Sequence, residues 1–554
     1  METTQARLAF SSIQPPQVLI TKNISSNYLR TENSYFLSAG GHRGPNKRPP
    51  HDRVLVIHPG SRWLRLGIAS DLSPIYIPHI LARRNSLEGS SKSNPPERHY
   101  STPTNALLAE ALAASDLDIQ TRLSIAKRKP VSNARQLCVQ YNTSSQAQTP
   151  EIIRDHAEAK FTHPWRNRPS SDLLFGNDAL HIYGSDHGYK IRWPIYRRKL
   201  NRADYSSMRE IQGDLYALWK WAITSQLRIS SLKDYHVVLI IPDAFDREDV
   251  LVYMDTLHEL GFSGYMLMQE SMAISFGAGA SSALVIDLGS TCTTLACVDE
   301  GFIVGPRLEL PYGGDDVTRY LSFLLKHHAQ APYPFEIDEK YWEWKVAEEI
   351  KEAYATLNEV DINFNVISFY ARSPENVRDG VVEKWTMKIY DEAVAASSIM
   401  FVESALKYLK NTDAHFKRNQ CLYNEKGEKH VKSEEIPVIY PPTLDRAIRD
   451  VTSDFSSDRQ KRIFSFVILS GGAAKTPGLA DYLTERIRQL PGFQALDRQL
   501  RVITGAKEMD PRAMAWKGGC VASKIDCAGE MWCARAEWQA AGLRALLDKI
   551  TFVW

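Results

Sequence analysis

The stretch Ala283-Leu284-Val285-Ile286-Asp287-Leu288-Gly289-Ser290-Thr291-Cys292-Thr293-Thr294 carries the clearest structural signal in the chain. Its short apolar run predicts a buried β-strand. The strand ends in Asp287, Gly289 and a run of hydroxyl residues, which would bring a carboxylate and several backbone N–H groups together. Such N–H groups can hold phosphate oxygens, and a carboxylate can hold a hydrated divalent cation. A buried strand with a tight turn and no ligand explains this stretch alone equally well.

Two further segments repeat this design. Val54-Leu55-Val56-Ile57-His58-Pro59-Gly60-Ser61 has the same order of strand, glycine and serine, with His58 in the place of Asp287, and a third strand ends in Ser470-Gly471-Gly472. The chain contains no Gly-x-x-x-x-Gly-Lys-Ser/Thr sequence, and turns this far apart cannot form one P-loop or Rossmann unit. The repeat predicts an internal duplication: two α/β lobes that close on a nucleotide, with a phosphate loop from each lobe and the third turn beside the adenosine.

Composition restricts the class of protein. The chain has 554 residues, too many for one ordinary core, and a net charge of +2, so any contact with nucleic acid must come from local basic patches. Its seven cysteines include no Cys-x-x-Cys pair, which disfavours a disulfide framework or a structural zinc site. No run of about 18 apolar residues occurs, so we expect no membrane span. We predict an intracellular, soluble protein.

The pattern of apolar, glycine-rich and polar segments divides the chain. Two polar insertions interrupt the two lobes, and the first contains a short helix near Leu107–Ala114. We predict a flexible N-terminal arm over 1–52, a first lobe over 53–83 and 172–280 with an inserted loop region at 84–171, a second lobe over 281–511 with an insertion at about 411–460, and a C-terminal return to the first lobe over 512–554.

Two local clusters of basic residues are candidates for contact with DNA phosphates. The first lies in the N-terminal arm and the second in the first insertion. A solvated tail, a nuclear-import signal or plain solubility would explain them as well. The candidate residues are Arg43, Lys47 and Arg48 in the arm and Lys127, Arg128 and Lys129 in the insertion.

The order of these motifs resembles the actin fold, which actin shares with heat-shock 70-type ATPases and sugar kinases. Two stretches resemble actin and the actin-related proteins specifically. They are Leu469-Ser470-Gly471-Gly472-Ala473-Ala474-Lys475-Thr476-Pro477-Gly478 and the segment from Trp516-Lys517-Gly518-Gly519-Cys520 to Trp532. The resemblance covers about 53–83, 172–370 and 463–554. It implies an α/β fold with two duplicated lobes and a nucleotide cleft between them.

Three features are similar to one subclass, the actin-related proteins 8. They are His58-Pro59-Gly60-Ser61 in the first loop, the ending Phe552-Val553-Trp554, and the large insertion at 84–171. Members of this subclass are nuclear subunits of the Ino-eighty chromatin-remodelling complex. There they sit with monomeric actin and another actin-related protein on a long helix of the remodeller's motor subunit, in a module thought to contact linker DNA and histones. The resemblance implies these partners and a nuclear location.

The resemblance also assigns the residues that bind the nucleotide, ATP or ADP. Gly60, Ser61 and Arg65 match the first phosphate loop and its phosphate-contacting lysine. The second phosphate loop is matched by Asp287, Gly289, Ser290 and Thr291. The positions around the adenosine are matched by Gly314, Lys351, Glu352, Gly471, Gly472, Ala473 and Lys475, with Arg512 beside them.

Four positions depart from the family pattern. The aspartate of the first loop is His58, the aspartate beyond the glycine of the second loop is Ser290, the glutamine that helps to place the attacking water is Glu270, and the histidine near that water is Thr294. Phosphoryl transfer depends on positioning and electrostatics. We therefore expect ATP or ADP to bind, a magnesium ion to be held weakly, and hydrolysis to be slow or absent. The alternatives are an active ATPase or kinase of this fold and a polymerising cytoskeletal actin relative.

Overall fold

The computed structural model describes most of the chain. Among the described helices, none combines the length and the hydropathy that a membrane span requires. The arm predicted at 1–52 lies almost entirely outside the described residues, and so do parts of both insertions. The described residues are 49–84, 105–153, 171–180, 182, 188–337, 341–373, 381–408, 417–423, 429–435, 441–491, 500–505, 509–547 and 549–552.

A six-stranded sheet forms the centre of the first lobe. Its strand order is β21-β11-β10-β1-β2-β3, with β1, β10 and β11 parallel and the other neighbours antiparallel. Strand β1 is buried along its whole length, as its apolar sequence predicts. With strands numbered along the chain, the bounds are β1 Val54–Pro59, β2 Trp63–Ile68, β3 Ile75–Pro78, β10 His236–Ile241, β11 Gly264–Gln269 and β21 Cys533–Ala534.

A seven-stranded sheet of matching design forms the centre of the second lobe. Its order is β18-β17-β14-β13-β12-β19-β20, in which β12 pairs parallel with β19 and antiparallel with β13, as β1 pairs with β10 and β2. This correspondence confirms the two-lobe actin fold that the repeated motif predicts. The bounds are β12 Ala283–Leu288, β13 Thr293–Asp299, β14 Phe302–Leu310, β17 Lys417–Tyr423, β18 Lys429–Glu435, β19 Val467–Ser470 and β20 Val502–Thr504.

Smaller sheets and helices surround the two central sheets. The remaining strands are β4 Leu81–Arg84, β5 Glu151–Ile153, β6 Leu173–Phe175, β7 Tyr189–Arg192, β8 Ile195–Tyr196, β9 Lys199–Leu200, β15 Asn365–Ala371 and β16 Val382–Ile389. The α-helices are Asn105–Ile125, Ala134–Asn142, Ser145–Gln148, Asn177–Leu180, Met208–Trp221, Arg247–Leu260, Glu270–Ala278, Gly314–Phe323, Tyr341–Tyr354, Glu392–Ser397, Glu403–Tyr408, Leu444–Thr452, Ser457–Phe464, Leu479–Arg488, Met514–Ala522, Arg535–Ala541 and Leu543–Leu547.

Two closely packed helices lie between the sheets. Helix Glu270–Ala278 and helix Met514–Ala522 are both almost fully buried. They share one apolar cluster with residues from both lobes, among them Val56 of β1 and Val285 of β12. The Trp516 indole N–H donates to the Val56 carbonyl at 3.2 Å. The two helices therefore form the common core through which the lobes are joined.

The described part of the first insertion, residues 105–153, is largely helical, and the predicted short helix near Leu107–Ala114 is longer than expected. It spans Asn105–Ile125, and its Ile119 and Leu123 are buried in the core of the second lobe. The Arg122 guanidinium donates to the Glu359 carboxylate at 2.8 Å and also to the Leu357 carbonyl. Because these contacts connect positions far apart in sequence, their stabilising effect could not be read from local composition.

The second insertion, predicted at about 411–460, ends earlier than expected. Residues 441–464 contain two helices, and Leu444, Ile448 and Val451 of the first are buried in the core of the second lobe. These three positions follow i, i+4 and i+7 spacing, which is a helical apolar face within a mostly polar segment. The prediction of a polar insertion was therefore wrong for residues 441–460.

Candidate nucleotide-binding cleft

A cavity of about 540 Å³ lies between the two lobes at the ends of their central strands. Apart from Gly471, all the residues predicted to bind the nucleotide line it. Gly471 is not among the lining residues, and its N–H donates to the Pro511 carbonyl at 3.2 Å. The predicted residues that line the cavity are Gly60, Ser61, Arg65, Asp287, Gly289, Ser290, Thr291, Gly314, Lys351, Glu352, Gly472, Ala473, Lys475 and Arg512.

The two predicted phosphate loops adopt the same turn. The Gly60 N–H donates to the Trp63 carbonyl at 3.0 Å, and the Gly289 N–H donates to the Cys292 carbonyl at 3.0 Å. A Cβ atom at either glycine would lie 2.8 or 2.7 Å from that same carbonyl oxygen, so the turn requires glycine in both loops. The matching turns support a shared role for the two loops.

One contact within the second lobe and one between the lobes hold the loops in place. The Gly314 N–H donates to the Gly289 carbonyl at 2.9 Å, which joins the second loop to the start of helix Gly314–Phe323. The Arg62 guanidinium of the first loop donates to the Asp315 carboxylate of that helix at 2.8 Å. Arg62 therefore connects the first lobe to the second at the mouth of the cavity.

The end of the cavity assigned to the adenosine carries charged side chains that are already paired within the protein. The Lys351 ammonium donates to the Gly314 carbonyl at 3.1 Å and to the Thr318 hydroxyl at 2.8 Å. The Arg512 guanidinium lies over the Tyr76 ring and donates to both oxygens of the Asp510 carboxylate. These contacts fix the positions of Lys351 and Arg512 along the wall of the cavity.

At the phosphate end, four side chains form one buried network. His58 Nε2 lies 2.9 Å from Glu270 Oε1. The Arg198 guanidinium forms ion pairs with Glu270 through one nitrogen and with Asp287 through the other. The Arg198 backbone N–H also donates to the Ser61 hydroxyl at 3.1 Å. The carboxylate of the second loop is therefore neutralised by an arginine that reaches it from the first lobe.

The charge states in this network follow from burial. Burial, with the nearby Arg65 and Arg198 charges, lowers the pKa of His58 well below its usual value, so the ring is neutral. The Arg65 guanidinium nitrogen Nη1 lies 3.5 Å from His58 Nδ1. Because a guanidinium can only donate, Nδ1 must be the acceptor and carries no proton. His58 therefore has its proton on Nε2 and donates a hydrogen bond to Glu270. Burial disfavours the charge on Arg198, but the surrounding groups, chiefly Asp287, outweigh it and raise the pKa of Arg198.

The hydroxyl residues of the second loop suit a phosphate ligand. Thr291 lines the cavity, and its buried Oγ1 makes no hydrogen bond within the described part of the chain. A buried hydroxyl without a partner loses its hydration and gains nothing in return, so a ligand that supplies an acceptor would stabilise it. The shape, the glycine turns and Thr291 together fit the phosphate chain of a nucleotide.

A hydrated magnesium ion fits this site poorly. Its usual oxygen ligands are carboxylates and water. Here His58 is a neutral donor toward Glu270, while Glu270 and Asp287 are both paired with Arg198. A divalent cation beside Asp287 would have to displace that guanidinium or remain next to its positive charge. The described residues therefore do not form the metal site that the resemblance implies.

The sequence prediction missed Arg198 and anticipated the other members of this network. Arg198 lies in the turn between β8 and β9, where Arg197 and Arg198 have φ values of +47° and +61°. The run Tyr196-Arg197-Arg198-Lys199 is visible in the sequence, but nothing local shows that one of its side chains enters the cleft. Thr294, in turn, lies opposite Asp287 in the β12–β13 pairing, and its hydroxyl is buried.

None of the candidate DNA-contacting residues that the structure describes is among those that line this cleft. Arg43, Lys47 and Arg48 fall outside the described residues. Lys127 and Lys129 are exposed beyond the end of helix Asn105–Ile125. Arg128 instead donates to the Glu359 and Ile362 carbonyls, so its guanidinium holds the insertion against the second lobe.

His79 supports the first phosphate loop, and its burial leads us to expect that the stability of the fold depends on pH. Its Nδ1 donates to the Gly60 carbonyl at 2.8 Å, its Nε2 accepts from the Trp219 indole N–H at 3.2 Å, and burial lowers its pKa to about 4. Because the unfolded histidine binds a proton near pH 6.5 and the folded one does not, stability should fall by about 3 kcal/mol as the pH drops from 6.5 to 4.

Urea unfolding at several pH values tests this expectation. The wild-type chain should lose stability across this range, and a His79→Gln variant should lose less, because it has no imidazole to protonate. An equal loss in both proteins would contradict the role given to His79.

Comparison with known proteins agrees with this geometry. The chain is 27% identical over 582 residues to a probable actin-related protein 8 of Schizosaccharomyces pombe, covering 91% of this chain and 86% of the relative. It is also 27% identical to actin-related protein 8 of Danio rerio, covering 90% and 92%. A solved structure of human actin-related protein Arp8 in its ATP-bound state matches with a TM-score of 0.76 and 28% identity, covering 93% of this chain and 100% of that one.

These relatives confirm the predicted resemblance to the actin-related proteins 8. The model of the actin family matches residues 50–551. The chain belongs to the actin family.

Proposed function

We propose that the chain binds ATP or ADP in this cleft as a structural ligand and does not act as an enzyme. The observation that carries the proposal is the contrast within the cleft. Both phosphate loops keep their glycine turns, and the Thr291 hydroxyl has no partner among the residues that the structure describes, whereas Glu270 and Asp287 are engaged by Arg198. The ATP in the related human structure supports the choice of nucleotide.

The network around Glu270 also argues against hydrolysis. A general base must reach the water from which it takes a proton. The Glu270 carboxylate is already engaged, because Oε1 accepts from His58 and the carboxylate forms an ion pair with Arg198. Thr294 in turn has no basic nitrogen that could hold the attacking water. The phosphate loops can still bind phosphate when Glu270 is paired and Thr294 replaces the histidine. Hydrolysis, however, lacks the two groups that would position the attacking water.

We infer that the biological role is that of a nuclear subunit of an Ino-eighty type chromatin-remodelling complex. The inference rests on the similarity to the actin-related proteins 8. The expected partners are a helix of the motor subunit, monomeric actin and another actin-related protein, with linker DNA and histones as further contacts. The nucleotide would keep the two lobes closed on each other, so that they present one rigid surface to these partners.

Affinity purification from nuclear extract, followed by identification of the proteins that co-purify, tests this role. We expect a remodeller motor subunit together with actin. If no motor subunit co-purifies and the pure protein forms filaments that sediment when salt is added, a cytoskeletal relative would be supported instead. A purification without either partner would contradict the proposed complex, but it would leave the nucleotide-binding proposal to be tested by itself.

Contact with DNA is expected to depend on Lys127 and Lys129, since Arg128 is held within the protein. The logarithm of the DNA affinity falls as the logarithm of the salt concentration rises. In the double variant Lys127→Ala/Lys129→Ala this negative slope should become shallower by about 2, because each exposed lysine neutralises one phosphate. Fluorescence anisotropy with a duplex at several salt concentrations measures the slope. A control that removes two exposed lysines of the first lobe, Lys190→Ala/Lys233→Ala, should leave it unchanged. Equal slopes in all three proteins would place the DNA contact elsewhere.

A further inference from the structure

The hairpin of β8 and β9 places a positive charge beside both phosphate loops of the cleft. Its turn residues Arg197 and Arg198 both have positive φ values, at +47° and +61°. Consecutive left-handed residues form the tight hairpin turn that usually contains asparagine or glycine, and they are strained in arginine. Strain of this kind persists only where the surroundings enforce it, and it often marks a functional position.

The contacts of Arg198 show what enforces the turn. Its backbone N–H donates to the Ser61 hydroxyl, and its guanidinium pairs with Glu270 and Asp287. The side chain is only 10% exposed. One residue therefore contacts the first phosphate loop, the carboxylate of the second loop, and the residue in the place of the water-positioning glutamine.

Positive charge already lies beside the carboxylates at the phosphate end. Arg198 pairs with Glu270 and Asp287, Arg65 contributes a second positive charge, and His58 is neutral. Burial raises the pKa of two further acids near Arg198, Glu309 and Asp243. Without Arg198 the two buried carboxylates would repel each other and an approaching polyphosphate, at a cost that grows as water is excluded. With Arg198 in place, a divalent cation would meet positive charge instead of free carboxylates.

We propose that Arg198 takes the place of the divalent cation, so that the cleft binds the metal-free form of a nucleoside diphosphate or triphosphate. The proposal rests on the nucleotide binding proposed above and specifies the form that is bound. The guanidinium bridges the two carboxylates and presents its remaining N–H groups toward the phosphates, as a planar fork of donors can. Magnesium then competes with Arg198 for the phosphates and does not strengthen the complex.

Calorimetric titration of the nucleotide-free full-length chain with ATP, once with magnesium and once with EDTA, tests the proposal. The dissociation constant in EDTA should be lower than, or within about threefold of, the value in magnesium. Lys199→Gln serves as the matched control, because Lys199 is an exposed cation on the same hairpin and does not line the cavity. It should behave as the wild type does.

A variant that restores free metal ligands should behave in the opposite way. Arg198→Gln alone leaves two buried carboxylates unpaired and could fail to fold, so the test uses the double variant Arg198→Gln/Glu270→Gln. Its ATP affinity should fall by about tenfold or more in EDTA relative to magnesium. Electron paramagnetic resonance with Mn²⁺ and ATP should show the metal held in the double variant and not in the wild type.

The outcomes separate this inference from the proposed function. If the wild type loses tenfold or more of its affinity in EDTA and holds Mn²⁺ beside ATP, nucleotide binding stands and the role of Arg198 is wrong. If the wild type binds no nucleotide in either buffer, the proposed function itself is contradicted.

Discussion

Gly518→Ala is expected to lower the free energy of unfolding by about 4 kcal/mol or more. A Cβ atom at this position would lie 1.6 Å from the Ala273 carbonyl oxygen, in the neighbouring helix Glu270–Ala278. Helix Glu270–Ala278 packs equally closely against helix Met514–Ala522 at Gly277, where a Cβ atom would lie 2.3 Å from the Met514 carbonyl oxygen. Both helices are buried in the core shared by the lobes, so they can separate only by disturbing both sheets.

Chemical denaturation followed by circular dichroism measures this effect. Gly213→Ala is the matched control, because Gly213 lies in helix Met208–Trp221 and a Cβ atom there meets nothing within 4 Å. The free energy of unfolding of Gly213→Ala should equal that of the wild type or exceed it by up to about 1 kcal/mol, because alanine is more favourable than glycine inside a helix. Similar stability in Gly518→Ala and the wild type would mean that the two helices do not pack this closely.

Asp287→Ala is expected to destabilise the fold and to weaken nucleotide binding. Asp287 pairs with Arg198, and its charge also stabilises Arg65. The change therefore leaves Arg198 with Glu270 as its remaining carboxylate in the network and removes a negative charge that offsets the buried Arg65. Breaking a buried ion pair from one side typically costs about 3–5 kcal/mol. Loss of the second loop's geometry should lower ATP affinity by about tenfold or more in the fraction that remains folded.

The two effects can be measured separately by denaturation and by calorimetric titration below the unfolding transition. Asp172→Ala provides the comparison, since Asp172 is 83% exposed and pairs with Arg84 at the surface. Removal of that surface pair should change stability by no more than about 1 kcal/mol. If Asp287→Ala is as mild as Asp172→Ala, the buried network does not hold the lobes together.

The fold and most of the cleft could be predicted because their signals are local. Each phosphate loop follows directly after a buried strand, so Gly60 and Gly289 could be found from apolar runs that end in glycine and serine. The positions of Lys351, Ala473 and Lys475 came from the resemblance to actin, and all three line the cavity. These features are fixed by neighbouring residues or by a family pattern.

Other features depend on contacts between distant parts of the chain, and local sequence does not show them. Arg198 lies 89 positions before its partner Asp287. Helix Asn105–Ile125 is stabilised by Arg122 through Glu359, more than 200 positions away. The helix Leu444–Thr452 did carry a local signal, but its apolar face was masked by a polar composition that is also typical of an insertion.

ATP turnover by the purified chain, measured together with its nucleotide content, tests the central claim that the cleft binds nucleotide without hydrolysing it. We predict about one ATP or ADP per chain, released on denaturation, and no phosphate production above that of a matched Asp287→Ala preparation. Sustained phosphate release that Asp287→Ala abolishes would show an active ATPase and would contradict the claim.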